Sequence, residues 1–196
     1  MAATTRKPRS VSKPVRIAHH EAGHAVLSAA INDTPDLVSI RASGASLGRS
    51  RSRMEGRLEN RVQVHLAGFA AEELLTGRRP NQLAGPELGF SVLAAIEPRH
   101  ASIAAGIEGC DQYLAVEEIL GMGCPRTSDA IRAEFERFYV VAKESLSAVW
   151  PTVQALANAL LKHKELDRNG VFQAIGRDDI YGPIFAVQKA NGLLVR

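Results

Sequence analysis

Aromatic residues and cysteines are scarce in this sequence of 196 residues. Phe, Trp and Tyr together make up 5% of the chain, and its many Ala and Leu residues favour helices over strands. The two cysteines, Cys110 and Cys124, are too few for a disulfide framework and do not form a C-x-x-C pair. This cysteine usage predicts a reduced, cytoplasmic setting.

Long apolar runs are also absent. No stretch approaches the roughly 18 apolar residues that cross a membrane, and no apolar core follows the basic N-terminus as it would in a signal peptide. We therefore expect no membrane span. The chain also has no G-x-x-x-x-G-K-[S/T] loop, so we do not expect it to couple ATP hydrolysis to unfolding by itself.

Positive charge is concentrated in two places, although the formal net charge is only +3. Basic clusters of this kind can contact nucleic acid or an anionic membrane. Neither cluster is interleaved with aromatic residues that would stack on bases. We therefore interpret both as solvated segments and expect no nucleic-acid partner. The first cluster contains Arg6, Lys7, Arg9, Lys13 and Arg16, and the second contains Arg49, Arg51, Arg53 and Arg57.

The length and the hydrophobic content of 45% suit one globular domain with a sizeable core. Composition predicts a disordered basic tail over residues 1–14. The domain is expected over residues 15–176, with a Gly- and Pro-interrupted insertion at about 78–109. Residues 177–196 are expected to form a C-terminal tail.

Periodicity predicts a mainly α protein with one short strand. Thr127 or Ser128 is expected to cap the longest helix, and Leu166 is expected to begin the last one. The pattern is least regular over about 78–109, where we predict a helix or strand at 89–96 and another helix at 101–107. The clearer helices are predicted at about 15–30, 54–75, 111–120, 128–149, 153–161 and 166–175, and the strand at 37–41.

An H-E-x-x-H motif occupies residues 20–24, within the first predicted helix. Residues four positions apart share a helix face, so the imidazoles of His20 and His24 can reach one metal ion. Glu21 projects beside the pair, where it can take a proton from a metal-bound water. The apolar residues around the motif predict burial, which is costly for these side chains unless they are paired. Gly23 weakens the helix by about 1 kcal/mol relative to Ala, which predicts that another backbone or a ligand comes close.

The chain resembles the zinc-peptidase domain of the FtsH family of ATP-dependent membrane proteases over residues 15–175. The resemblance is carried by several dispersed motifs in the same order. It implies a helical metallopeptidase domain that binds Zn²⁺, with a small β-sheet beside the H-E-x-x-H helix. The motifs are His-Glu-Ala-Gly-His-Ala-Val at 20–26, Leu-Val-Ser-Ile at 37–40, Ala-Ser-Leu-Gly at 45–48 and Leu-Ala-Gly-Phe-Ala-Ala-Glu-Glu-Leu at 66–74.

A catalytic zinc usually has three protein ligands and one water. The resemblance implies that Asp111 is the third ligand, although Gly109-Cys110-Asp111 stands where the family usually has Ser-Asn-Asp. From the sequence alone, Asp111 also fits a helix N-cap. Glu72 and Glu73 are alternative ligands or groups that orient a ligand. His19 points about a quarter turn away from the histidine pair of the motif and is not counted as a ligand, and His65 is expected to be a surface or packed residue. No motif surrounds His100 or His163, and Cys110 is more typical of an inert buried thiol than of an adventitious ligand.

The parts together predict a zinc endopeptidase that cleaves unfolded or flexible polypeptides, is ATP-independent by itself and uses Glu21 as general base. Val38, Ser39 and Ile40 are expected to offer a strand edge on which a peptide is laid. The alternative is a non-catalytic, metal-stabilised relative that binds peptides or proteins. A homo-oligomer and a separate ATPase are the candidate partners besides the polypeptide substrate.

Overall fold

The computed structural model describes residues 11–31, 34–42, 48–51, 56–84, 86–97, 109–176 and 180–193. It is mainly helical with a small antiparallel sheet, as predicted. The helices are α1 (Lys13–Ala30), α2 (Leu58–Thr76), α3 (Asn81–Ala84), α4 (Pro86–Ile96), α5 (Asp111–Gly121), α6 (Ser128–Ala148), α7 (Trp150–His163), α8 (Arg168–Ile175) and α9 (Tyr181–Ala190). The strands are β1 (Leu37–Ser39), β2 (Arg49–Arg51) and β3 (Glu165–Asp167).

Helices α1 and α2 form the centre of the fold and pack against each other. A Cβ atom at Gly23 of α1 would lie 2.5 Å from the Ala67 carbonyl oxygen of α2 and 2.8 Å from the Ala71 Cβ. Only glycine allows the two backbones to approach this closely. The close approach predicted at Gly23 is therefore confirmed, and its partner is the backbone of α2.

The other helices cover this central pair. Helix α1 also packs on α7, while α2 packs on α5 and α6. The core between them contains large side chains with almost no exposure, mainly from α6 and α7. They include Ile131, Phe135, Phe138, Tyr139, Leu146, Leu156 and Leu160. This packing holds α5 in contact with α2, which in turn contacts the H-E-x-x-H helix.

The sheet has the strand order β2-β1-β3 and is antiparallel throughout. Val38 pairs with Ser50 on one side and with Leu166 on the other. The Ile40 N–H extends the second side by donating to the Lys164 carbonyl oxygen at 2.9 Å. The prediction that Val38, Ser39 and Ile40 offer a free strand edge is therefore wrong, because β1 is the central strand. The sheet contacts α1 through β1 and β2, as expected.

Leu166 belongs to β3 and not to the last helix, so that part of the sequence prediction is also wrong. The chain leaves α7 through Lys164 in the left-handed conformation, at φ 67°, and then extends to pair with β1. The Asp167 carboxylate accepts a hydrogen bond from the Gly170 N–H at 2.8 Å and so caps α8. Pairing with β1, a contact distant in sequence, decides the conformation at Leu166.

Several predicted boundaries agree with the structure. The Thr127 hydroxyl accepts from the Ala130 N–H, so Thr127 rather than Ser128 caps α6. Pro14 lies in the first turn of α1, which begins at Lys13, within the tail predicted over 1–14. Residues 86–96 form a helix, not a strand. The expected helix at 101–107 lies outside the described residues.

Helix α9 lies in the segment expected to be a C-terminal tail. It packs on α6 and buries Ile184 and Gln188. None of the helices in the described parts of the chain is long and apolar enough to cross a bilayer.

Candidate metal centre

Two helices supply the side chains of the candidate centre. Helix α1 presents His20 and His24 on one face, and α5 presents Asp111 from its first turn. Their candidate ligand atoms all lie within 4.8 Å of one another. The two elements are 91 residues apart at the contact between His20 and Asp111, and packing of both on α2 brings them together.

Each histidine is anchored through its Nδ1 atom. The His24 Nδ1–H donates to the Val64 carbonyl oxygen at 2.7 Å, and the His20 Nδ1–H donates to Glu72 Oε1 at 2.8 Å. A carbonyl and an ionised carboxylate can only accept, which fixes the proton on Nδ1. In the neutral imidazoles, which are the form that binds a metal, both Nε2 atoms therefore carry a lone pair directed away from the anchors.

These lone pairs converge on the carboxylate of Asp111. The two Nε2 atoms are 3.0 Å apart. Asp111 Oδ2 lies 3.1 Å from His20 Nε2 and 3.2 Å from His24 Nε2. In a tetrahedral zinc site with bonds of about 2.0–2.1 Å, neighbouring ligand atoms are about 3.3 Å apart. The triangle of two nitrogens and one oxygen therefore has nearly the dimensions that zinc requires.

The electrostatics of the cluster also favour a cation. Burial lowers the pKa of His20, but hydrogen bonds to Asp111 and Glu72 raise it overall to about 10. Burial raises the pKa of Asp111, but the charges and hydrogen bonds of His24 and His20 outweigh it and hold that pKa well below its usual range. The cluster therefore stabilises positive charge, which a proton or a metal ion can supply.

Space for the imidazoles comes from a glycine of α2. A Cβ atom at Gly68 would lie 2.5 Å from Nε2 of both His20 and His24. No other residue type leaves this position open. Sequence reasoning did not identify Gly68, although a glycine in the interior of a helix is a signal that could have found it.

Glu21 lies beside the centre with its side chain largely buried, at 6% exposure. A Cβ atom at Gly48, the residue before β2, would lie 2.5 Å from Glu21 Oε1. The chain entering β2 therefore runs directly against this carboxylate. Burial raises the pKa of Glu21, as does the charge of Asp111, while His24 and His20 act in the opposite direction.

Glu72 and Glu73 face different parts of the molecule. Glu72 hydrogen-bonds His20 through Oε1, and its Oε2 lies 3.3 Å from Arg16 Nε. Glu73 instead accepts from the Tyr139 hydroxyl at 2.7 Å and from Lys143 Nζ at 2.9 Å. The structure therefore brings Glu72 to the centre and directs Glu73 to α6.

The other candidate side chains have separate surroundings. His19 Nδ1 donates to the Val15 carbonyl oxygen at 2.8 Å, and its ring contacts Trp150. His163 is exposed at the end of α7, and His100 lies outside the described residues. Cys110 is exposed but lines the cavity beside Asp111.

The centre opens into a cavity of about 610 Å³. Its walls include residues that sequence reasoning left out of the site: Arg16, Arg49, His65 and Phe69. His65 is predicted from the sequence to be a surface or packed residue, and its side chain is 12% exposed. These residues come from α1, β2 and α2, so no local pattern connects them.

No family model matches this chain. Part of it is 40% identical, over 72 residues, to the ATP-dependent zinc metalloprotease FtsH of Pirellula staleyi. The match covers 31% of this chain and 10% of that protein. The chain thus spans about a tenth of the length of the curated relative it matches, and the similarity indicates an FtsH-like relationship over that part.

Proposed function

We propose that this chain is a zinc-dependent endopeptidase acting on unfolded or flexible polypeptides. The observation that carries the proposal is the triangle formed by two histidine nitrogens and the Asp111 oxygen, with the Glu21 carboxylate beside it. A structural zinc site is normally closed by a fourth protein ligand and needs no base. Among the described residues only three ligands converge here, and the centre faces an open cavity.

The donor set suits zinc. His20 and His24 would supply neutral imidazole nitrogens and Asp111 a carboxylate oxygen, a combination that zinc accepts in tetrahedral geometry. A zinc ion bound there would act as a Lewis acid that activates water and polarises a carbonyl group. Glu72, by accepting from His20 Nδ1, would keep that ring in the tautomer that binds metal.

Glu21 would act as the general base. Its carboxylate takes a proton from the attacking water, and the protonated acid then gives that proton to the leaving amine as the peptide bond breaks. Its burial beside Gly48 holds it in place between the two steps.

The substrate would lie along β2. This strand is paired with β1 on one side only in the described part of the chain, and Gly48, Arg49 and Ser50 line the cavity. An extended peptide can add to such a strand through backbone hydrogen bonds, which bind many sequences. This mode suits unfolded polypeptides. The peptide would pair with β2, and not with the segment Val38, Ser39 and Ile40 as expected from the sequence.

Elemental analysis of zinc combined with casein cleavage tests the proposal. We expect one zinc per chain in the wild type, loss of zinc in Asp111→Ala, and retained zinc with at least a hundredfold slower cleavage in Glu21→Gln. Glu73→Gln is the matched control, since Glu73 faces α6, and it should keep both zinc and activity. Cleavage should be the same with and without ATP.

Two outcomes would contradict the proposal. Zinc without cleavage of casein or of flexible peptides would favour the non-catalytic, metal-stabilised binding relative. A freshly prepared wild type without metal would exclude the zinc centre itself. We further propose that residues 15–176 form the peptidase domain, that the protein is cytoplasmic, and that its partners are a second copy of this chain and a separate ATPase.

A further inference from the structure

Two arginines from different elements line the cavity of the metal centre. Arg16 lies on α1, one turn before His20, and Arg49 lies on β2. In the sequence they belong to two separate basic clusters, and the sequence pattern favours a solvated segment for each. The fold brings one member of each to the same cavity wall.

The carboxylates of this cavity have other partners. Asp111 faces the two histidines, Glu72 bridges His20 and Arg16, and Glu21 is buried against Gly48. In the described part of the chain, Arg49 forms no ion pair. Among the described residues that line the cavity, Arg16 and Arg49 together with a divalent cation at the centre would outweigh the negative charges of Asp111, Glu72 and Glu21.

Arg16 has donor capacity left after its contact with Glu72. The contact uses Nε at 3.3 Å, and the side chain is 46% exposed. A guanidinium carries five N–H donors in a fixed fork, so its terminal nitrogens can receive a second carboxylate. Glu72 thus limits the freedom of Arg16 while leaving its outer donors at the cavity.

We propose that Arg16 and Arg49 make this site select polypeptide segments that carry a carboxylate next to the bond held at the metal centre. The inference rests on the proposed function for its substrate, a peptide lying along β2. On such a strand, cross-strand side chains are about 4.5–5.5 Å apart, so Arg49 would meet a substrate side chain directly. The carboxylate can belong to an Asp or Glu side chain or to a free C-terminus.

A positional scan of a neutral decapeptide tests the proposal. One residue at a time is replaced by Glu, Gln or Lys, and each peptide is made with a free and with an amidated C-terminus. The zinc-loaded full chain should cleave the best Glu peptide with a kcat/KM about fivefold above that of its Gln counterpart, as for an ion pair at a partly exposed site. The preference should shrink as salt increases. Comparison of the free and amidated peptides distinguishes recognition of a side-chain carboxylate from recognition of the C-terminal carboxylate.

Variants of Arg49 connect the preference to the cavity wall. Arg49→Gln should reduce the ratio of Glu to Gln peptides towards one, and Arg49→Glu should favour Lys peptides instead. Arg41→Gln removes the same charge from an exposed position outside the cavity and should leave the ratio unchanged. Arg16→Gln is compared only after its zinc content has been measured, because Arg16 contacts Glu72.

Binding separates this inference from the proposed peptidase activity. Anisotropy of the labelled peptides is measured on zinc-loaded Glu21→Gln, in which cleavage is suppressed. Tighter binding of Glu peptides that disappears with Arg49→Gln supports the inference even if no peptide is ever cleaved. Equal binding of Glu and Gln peptides, no binding of any peptide, or a preference that survives both Arg49→Gln and Arg16→Gln, overturns it even if cleavage is fast.

Discussion

Each histidine of the motif uses its two ring nitrogens for different purposes. Nδ1 is anchored, in His24 to the Val64 carbonyl oxygen and in His20 to Glu72, while Nε2 faces Asp111. Anchoring by a second group fixes both the tautomer and the ring orientation of a metal ligand. The geometry of the centre therefore depends on α2, which contributes both anchors but none of the three candidate ligands.

Gly68→Ala should disrupt the centre without removing a ligand. The new Cβ would lie 2.5 Å from both Nε2 atoms, so the imidazoles must turn away from Asp111. We expect zinc affinity to fall at least tenfold, measured by competition with a chromogenic chelator. Gly89→Ala is the control, because its Cβ would meet only Arg132 Nη2, at an ordinary 3.5 Å. Wild-type zinc affinity in Gly68→Ala would contradict this account.

His65 should make the metal-free protein less stable in acid. Burial, together with the charges of His24 and Arg61, lowers its pKa to about 4, against the opposing effect of Asp111. Between pH 6.5 and 4 the unfolded chain therefore binds more protons at this residue than the folded one, so the free energy of unfolding decreases as the pH falls. The slope from this one group is at most about 1.4 kcal/mol per pH unit.

The comparison of His65→Gln with the wild type isolates this contribution. Both proteins are unfolded with urea between pH 4 and 7 in the presence of a metal chelator. The free energy of unfolding should depend less on pH in the variant than in the wild type. His163→Gln, at the exposed end of α7, is the matched control and should follow the wild type. Parallel curves for wild type and His65→Gln would show that His65 does not titrate in this window.

At the scale of elements, the approach of α1 to α2 decides the architecture of the centre. Gly23 and Gly68 lie on the facing sides of the two helices. The first lets the backbones approach, and the second leaves room for the imidazoles. Ala67 and Ala71 of α2, both fully buried, lie against Gly23 at this contact.

Gly23→Ala should therefore destabilise the protein, although alanine is the better helix former. Its Cβ would meet the carbonyl oxygen of Ala67 at 2.5 Å, and backbone cannot turn aside as a flexible side chain can. We expect a loss of about 1–3 kcal/mol in the free energy of unfolding, as for overpacked cores. Gly89→Ala should instead stabilise the protein by about 0.5–1 kcal/mol through helix propensity. Urea titration of both variants measures the contrast, and a stabilised Gly23→Ala would contradict it.

At the scale of the whole molecule, the centre links segments that are distant in sequence. His20 and His24 come from the first helix described, Asp111 from the fifth, and the cavity wall from β2 and α2. A ligand bound to all three side chains would hold α1 and α5 together. Such a ligand binds the folded chain better than the unfolded one and so stabilises the fold.

Zinc should consequently raise the melting temperature. At a free concentration of 100 times its Kd, it adds about 2.7 kcal/mol to the free energy of unfolding, which is a shift of several degrees for a chain of this size. Calorimetry with zinc and with excess chelator measures the difference. Asp111→Ala should lose the shift and Glu73→Gln should keep it. A zinc shift unchanged in Asp111→Ala would exclude Asp111 as a ligand.

The sequence by itself determined the features that depend on neighbouring residues. Periodicity and caps predict α1, α5 and α6 with small boundary errors, and the four-residue spacing of His20 and His24 places both on one helix face. The need for a close approach at Gly23 also follows from a local cost, that of glycine inside a helix. For Asp111, the sequence leaves a choice between helix cap and ligand, and only a family resemblance favours the ligand.

Tertiary structure decided everything that depends on pairing between distant segments. Leu166 is extended because β3 pairs with β1, and β1 loses its free edge for the same reason. Glu72 and Glu73 are neighbours in sequence, yet only the packing of α2 directs one to His20 and the other to α6. Arg16 and Arg49 meet at one cavity because α1 and β2 contact each other. Local propensity carries no information on such contacts, since their free energy arises only when the chain is folded.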